Sequence, residues 1–351
     1  MSDQRVDDAD VNTEMKLPPD GGGRSRRKLI LAGLAALGVL FFATLPFYYD
    51  VHNGQFGVFF FNVFVYVIVA QGWNLVSGYT GQISLGQNAF FGVGAYTMAL
   101  LWFNDVTKTG YYFDPVLMIL AGVVPFILAV LVGVPLLSRL RGDYFAFGTL
   151  GMGMIVTVLF INGGMFTGGA EGRMLVPKMP EGVVFNLRTH YWVALLVAVL
   201  STLVVYVMTT SRIGLALRAI REDEVSAASH GVNVLKYKVM AFAVGAFMAG
   251  VAGSIYGYYL LQVTPSNVLT SNWLFLPILM VVLGGTGTIL GPWLGAFVIY
   301  LISWYGDSYF AGYHPIISGV VIIGVMLFLP SGLMGLGQKV PGLRKGGRGS
   351  G

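Results

Sequence analysis

The polar residues best placed to do chemistry in this chain fall in one short stretch. Between Gly72 and Phe90 it reads GWNLVSGYTGQISLGQNAF, with Trp73, Asn74, Gln82, Ser84, Gln87 and Asn88 set among glycines and flanked by apolar runs. These side chains are uncharged donors and acceptors. They suit a zwitterion with an apolar side chain, backbone groups freed from a helix, or contacts between helices. They do not form the acid–base pair that catalysis near neutral pH needs. Elsewhere the raw material for catalysis is thin. There is no cysteine, which excludes disulfides, thiol chemistry and cysteine–metal sites. His52, His190, His230 and His314 lie far apart, without zinc-site spacing, so no metal is expected. Asp143, Glu171 and Glu181 are isolated, whereas an enzyme acting on lipid needs such groups clustered. The run GGTGT (Gly284–Thr288) lacks the lysine of a phosphate loop. The chain is therefore expected to be non-catalytic and to hold no cofactor, and any ATP that drives it belongs to another subunit.

The composition says which elements must position those amides. Of 351 residues 56% are hydrophobic and 11% charged, against about 25% charged in soluble domains. So few charges cannot cover a soluble surface, and an all-α integral membrane protein is expected. About 20 residues of helix cross ~30 Å of hydrocarbon. Ten spans are predicted on that basis, at about 29–48, 57–76, 83–103, 115–137, 144–162, 190–210, 237–261, 273–283, 289–304 and 312–329. The first is too long for a signal peptide and lacks its small-residue cleavage site. Residues 1–28 read as a disordered tail and 331–351 as a flexible basic one, leaving 29–330 as the membrane domain. The spans are read as free of Asp, Glu, Lys and Arg. That leaves nothing for a proton relay and argues against an autonomous secondary transporter. The net charge of +5 comes from bases beside apolar runs, a topology signal and not a nucleic-acid one. With spans alternating, all but Lys108, Arg173, Lys178 and Arg188 of the 21 Lys and Arg fall on the side of both termini. The excess of bases makes that side cytoplasmic.

Two connections exceed what a turn requires, an outer one at 163–189 and an inner one at 211–236. In the inner one Ile213, Leu215, Leu217, Ile220 and Val225 alternate with Arg218, Arg221, Glu222, Asp223 and Glu224. That pattern predicts an amphipathic helix outside the bilayer. Ala227 and Ala228 permit close approach and Gly231 ends the helix. Both charge signs beside small residues suit docking to a cytoplasmic protein, since a helix lying on lipid would be mainly basic with bulky apolar residues. Within the seventh span, Ala246, Ala249, Gly250, Gly253 and Gly257 share one helix face and predict close packing. Gly78 and Gly81 allow a break between the second and third spans. Asn74, Gln82, Ser84, Gln87 and Asn88 are expected to contribute to an uncharged translocation route, with Trp73 as a gate or a packing residue.

These stretches resemble a known family. GWNLVSGYTGQISLGQNAFFGVGAY (Gly72–Tyr96) is similar to the signature of the permeases of branched-chain amino-acid ABC importers, the LivM/LivH family. TGGAEG (Thr167–Gly172) resembles its outer-loop motif. GLALRAIREDEVSAASHGVNVLKYKVMAFAVGAFMAGVAGSIYG (Gly214–Gly257) resembles the segment that docks on the ATPase and the helix after it. VLGGTGTILGPWLGAF (Val282–Phe297) is similar to the last strong block, and the likeness is closest to the LivM-type subunit. The resemblance implies a fold like the type II ABC importers, with about ten helices and inverted repeats. It also implies a LivH-type second permease, two cytoplasmic ATPase subunits holding ATP and Mg, and an extracytoplasmic solute-binding protein. The location would be the plasma (inner) membrane of a prokaryote. The ATPase would be met by the loop carrying Arg218, Arg221, Glu222, Glu224, Ala227, Ala228 and Gly231. That loop departs from the general docking motif, with Ser226 in place of glutamate and Gly231 one residue early. Urea, short amides or another small organic solute are the alternative cargoes.

Overall fold

In a computed structural model of the chain, the described residues are 38, 40–46, 55–104, 106, 113–140, 142–175, 186–309 and a few positions up to 334. Of the span expected at 29–48, only 38 and 40–46 are described, and they are helical; Thr44 bonds back to the Phe41 carbonyl. The span expected at 312–329 and both tails lie almost wholly outside the described residues.

The remaining eight expected spans fall on eight helices. They are α1 (Gln55–Trp73), α2 (Gln87–Phe103), α3 (Pro115–Arg139), α4 (Asp143–Ile161), α5 (Leu187–Thr210), α8 (Val234–Leu260), α9 (Asn272–Gly284) and α10 (Gly291–Tyr309). Between α5 and α8 lie α6 (Arg212–Glu222) and α7 (Glu224–Ser229). Among the described residues six helical segments are long and apolar enough to cross a membrane: Gln55–Gly78, Pro115–Arg139, Asp143–Ile161, Leu187–Thr210, Val234–Leu260 and Pro265–Gly284. The chain is an all-α multi-pass membrane protein.

Sequence chemistry sets the helix starts. Asp114 accepts from the Val116 N–H ahead of Pro115, Asn186 from the Arg188 N–H, and Asn233 from the Lys236 N–H. These are N-caps, which satisfy donors a helix start leaves free. One expectation is corrected. Lys238 falls inside the span expected at 237–261, so that span does carry charge, and the first turns of α8, which also take in Lys236, bury it.

Helix α8 is the hub, packing on α1, α2 and α3, while α5 and α10 lie against α1, and α9 pairs with α10. Helices α3, α4 and α5 turn outward residues such as Leu131, Ile155, Leu159 and Val207, an apolar rim that lipid can cover. Two short strands, β1 (Arg173–Met174) and β2 (Gln262–Val263), pair antiparallel with Arg173 opposite Val263. They join the segment after α4 to the end of α8, a link the sequence did not announce.

The amphipathic segment expected as a single helix over 212–231 is two helices. Asp223 adopts extended backbone and caps α7, accepting from the Val225 and Ser226 N–H groups at 2.8 and 2.9 Å. An aspartate that bonds forward to two amides starts a new helix and cannot continue the old one.

Candidate functional site

The stretch Trp73–Asn88 is a break in the bundle. Helix α1 passes into a π turn at Asn74–Gly78, a geometry often found at functional positions. Residues 81–86 are not helical, and Gly81 turns the chain at φ +75°. That conformation favours glycine. Irregular backbone at membrane depth persists only where protein satisfies its polar groups, and here local side chains do so. The Trp73 indole donates to the Ser84 carbonyl at 2.8 Å. Ser77 donates to the Gln82 carbonyl at 2.9 Å and Thr80 to the Val76 carbonyl at 2.6 Å. From α4, Thr149 accepts from the Leu85 N–H at 2.9 Å.

Four distant segments then clamp the break. Asn74 donates to the Thr288 carbonyl and accepts from the Gly287 N–H, each at 2.8 Å. The two glycine-rich stretches therefore touch; a Cβ on Gly78 would stand 2.7 Å from the Gly287 nitrogen. On the α8 side, Gln87 donates to the Gly245 carbonyl at 3.4 Å. Asn88 donates to the Leu269 carbonyl at 3.3 Å. From the α6–α7 loop, Arg221 donates to the Gly78 carbonyl at 2.6 Å. Gln82 donates to Glu224 at 2.9 Å, and the same carboxylate oxygen pairs with Lys238.

All six residues expected on the route are thus buried and bonded to protein in this conformation. Three of them keep an oxygen without a protein partner: Gln82 Oε1, Ser84 Oγ and Asn88 Oδ1. A buried acceptor left unmatched costs about 1–3 kcal/mol. Asn88 lies against Gly153 of α4, where an added Cβ would stand 3.2 Å from its Oδ1.

The docking residues divide into two groups. Arg221 and Glu224 reach inward to the break, Arg218 donates to the Thr209 carbonyl at 2.9 Å, and Ala227 is buried. Glu222, Ala228 and Gly231 are exposed, Gly231 at φ +84°. Reasoning from sequence missed the two large apolar side chains that this loop exposes, Leu215 and Val225, both about two-thirds accessible (67% and 69%). Their placement in the amphipathic pattern was visible; that they face away from the bundle was not. It also missed Lys238 and Thr149 as partners of the break, for which no local pattern gives a signal.

The small-residue stripe of α8 meets two helices. A Cβ on Gly253 would overlap the Phe91 carbonyl of α2, and one on Gly250 the Ala121 carbonyl of α3. One on Gly257 would stand 2.6 Å from the Met98 side chain. Ala246 and Ala249 are buried on the same helix. Pro125 lies four residues beyond Ala121 and has no N–H to bond that carbonyl, so α3 is opened where Gly250 crosses it.

A family model described as the branched-chain amino acid transport system / permease component matches residues 56–330. The high-affinity branched-chain amino acid transport system permease protein LivM of Salmonella typhimurium is 32% identical over 343 residues, covering 91% of this chain and 77% of that protein. LivM of Escherichia coli K12 is 31% identical with the same coverage. The permease protein LivH of Escherichia coli K12 is 28% identical over 153 residues, covering 43% of this chain and 48% of LivH. No solved structure matches the chain.

Proposed function

The chain belongs to the family of branched-chain amino acid transport permease components, and on that premise we propose that it is the LivM-type permease subunit of an ATP-driven importer for branched-chain amino acids. The observation that carries this reading is the likeness to LivM along nearly the whole chain, through the break and the α6–α7 loop alike. The subunit is non-catalytic. It pairs with a LivH-type permease in the plasma membrane of a prokaryote, and an extracytoplasmic binding protein delivers the solute. Of two cytoplasmic ATPases, one meets the α6–α7 loop through Leu215, Glu222, Val225 and Ala228. Arg212, Arg218, Arg221 and Lys236 at that end of the bundle support a cytoplasmic loop, with both termini on the same side.

The solute passes near the seam between the start of α2 and α4, where Ser84 and Asn88 hold unmatched oxygens. An uncharged route needs only weak contacts that release the solute. The test is reconstitution of both permeases, the ATPases and the binding protein in vesicles. Leucine uptake that requires ATP and every component is expected. Uptake by this chain alone on an ion gradient would overturn the proposal, and ATP-driven uptake of urea or short amides in preference to leucine would overturn its substrate.

A further inference from the structure

The contacts that tie the α6–α7 loop to the break have a consequence for energy transmission. Lys238 is buried in the first turns of α8, its side chain 2% exposed, and its ion-pair partner is Glu224 at the start of α7. The same carboxylate oxygen accepts from Gln82, within the break. Arg221 makes a second link to the Gly78 carbonyl, and its Cγ would lie 3.3 Å from a Cβ on Gly81. One carboxylate thus joins the loop, the hub helix and the break. A buried ammonium left alone is far costlier than one kept paired. Glu224 therefore cannot swing away while Lys238 stays buried, and Gln82 is held to the same oxygen.

We propose that Gln82, Glu224 and Lys238 form a strut that stays closed through the transport cycle, so that displacement of the α6–α7 loop moves the break with it. Lys238 is then a positioning residue that converts loop motion into movement of the break and makes no contact with the ATPase. The inference rests on the docking proposal above and deepens it.

The test uses the assembled importer in vesicles, with leucine uptake and ATP hydrolysis measured together. Lys238→Met should leave the ATPase bound and hydrolysing while uptake per ATP falls by roughly an order of magnitude, within the range that one site in a coupling network moves. Lys238→Arg should retain uptake. If Lys238→Met fails to assemble, Glu224→Gln with Lys238→Met takes its place, since that pair leaves no buried charge. The chain has no cysteine, so Gln82→Cys and Glu224→Cys can then be added to Lys238→Met and joined by a short, reducible thiol–thiol cross-linker. Cross-linking should restore uptake per ATP and reduction should abolish it again.

The strut is overturned by an unchanged ratio in the assembled variant, by loss of ATPase binding in Glu224→Gln with Lys238→Met, or by a cross-linked importer that hydrolyses ATP without uptake. The docking proposal fails separately, if Leu215→Asp with Val225→Asp in the otherwise native chain still binds the ATPase.

Discussion

The break at Trp73–Asn88 and the seam around α8 both bring backbones closer than ordinary side chains allow, by opposite means. At the seam the side chain is removed. Gly250 and Gly253 lie against carbonyls of α3 and α2, Gly94 lies against the backbone of Gly250, and no polar side chain is needed. At the break the side chains are kept and made polar. Asn74, Gln82, Gln87 and Asn88 reach across to Thr288, Glu224, Gly245 and Leu269. Apolar contact in lipid gains little from the hydrophobic effect, so helices there associate through close fit and hydrogen bonds. The seam relies on fit alone and has one arrangement. The break relies on hydrogen bonds, several of its oxygens are unmatched, and amides can exchange one carbonyl for another. The seam is built to stay fixed, and the break is built to be moved.

That contrast can be broken by substitution. The largest effect is expected at the seam. Gly253→Leu forces a side chain into the Phe91 carbonyl, and overpacking of this kind typically costs about 1–3 kcal/mol, more where backbone must yield. Loss of monodisperse protein in detergent is expected, and a variant with native Tm would refute the rigid seam. Next comes Asn74→Leu, which strips partners from the Gly287 N–H and the Thr288 carbonyl. Each buried group left unmatched costs about 1–3 kcal/mol, so Tm should fall, with Asn74→Asp falling less because the Gly287 bond survives.

The smallest effect on stability, and the sharpest on the comparison, is expected from Ser84→Cys and Asn88→Cys. Both should react with a water-soluble thiol reagent in one nucleotide state and be protected in another, while Asn74→Cys stays protected throughout. Uniform protection at all three would make the break as static as the seam.

Hydropathy and residue type determined much of this protein by themselves. The membrane class, eight of the described spans, the glycines that permit the break and the unusual charge pattern of 212–231 are all legible, because each depends on residues adjacent in the chain. The division of that segment at Asp223 was a near thing, since an aspartate in an amphipathic run reads equally as solvated face or as cap. The partners of the amides were not legible. Asn74 finds Thr288, Gln71 finds Ile289 and Gln82 finds Glu224 across long stretches of chain. Any exposed carbonyl satisfies an amide, so only the stacking of helices decides which one does. The same holds for Lys238, whose place beside a loop reads as a topology signal until packing buries it against Glu224. Burial of a single charge is a property of three elements meeting, and no window of sequence contains all three.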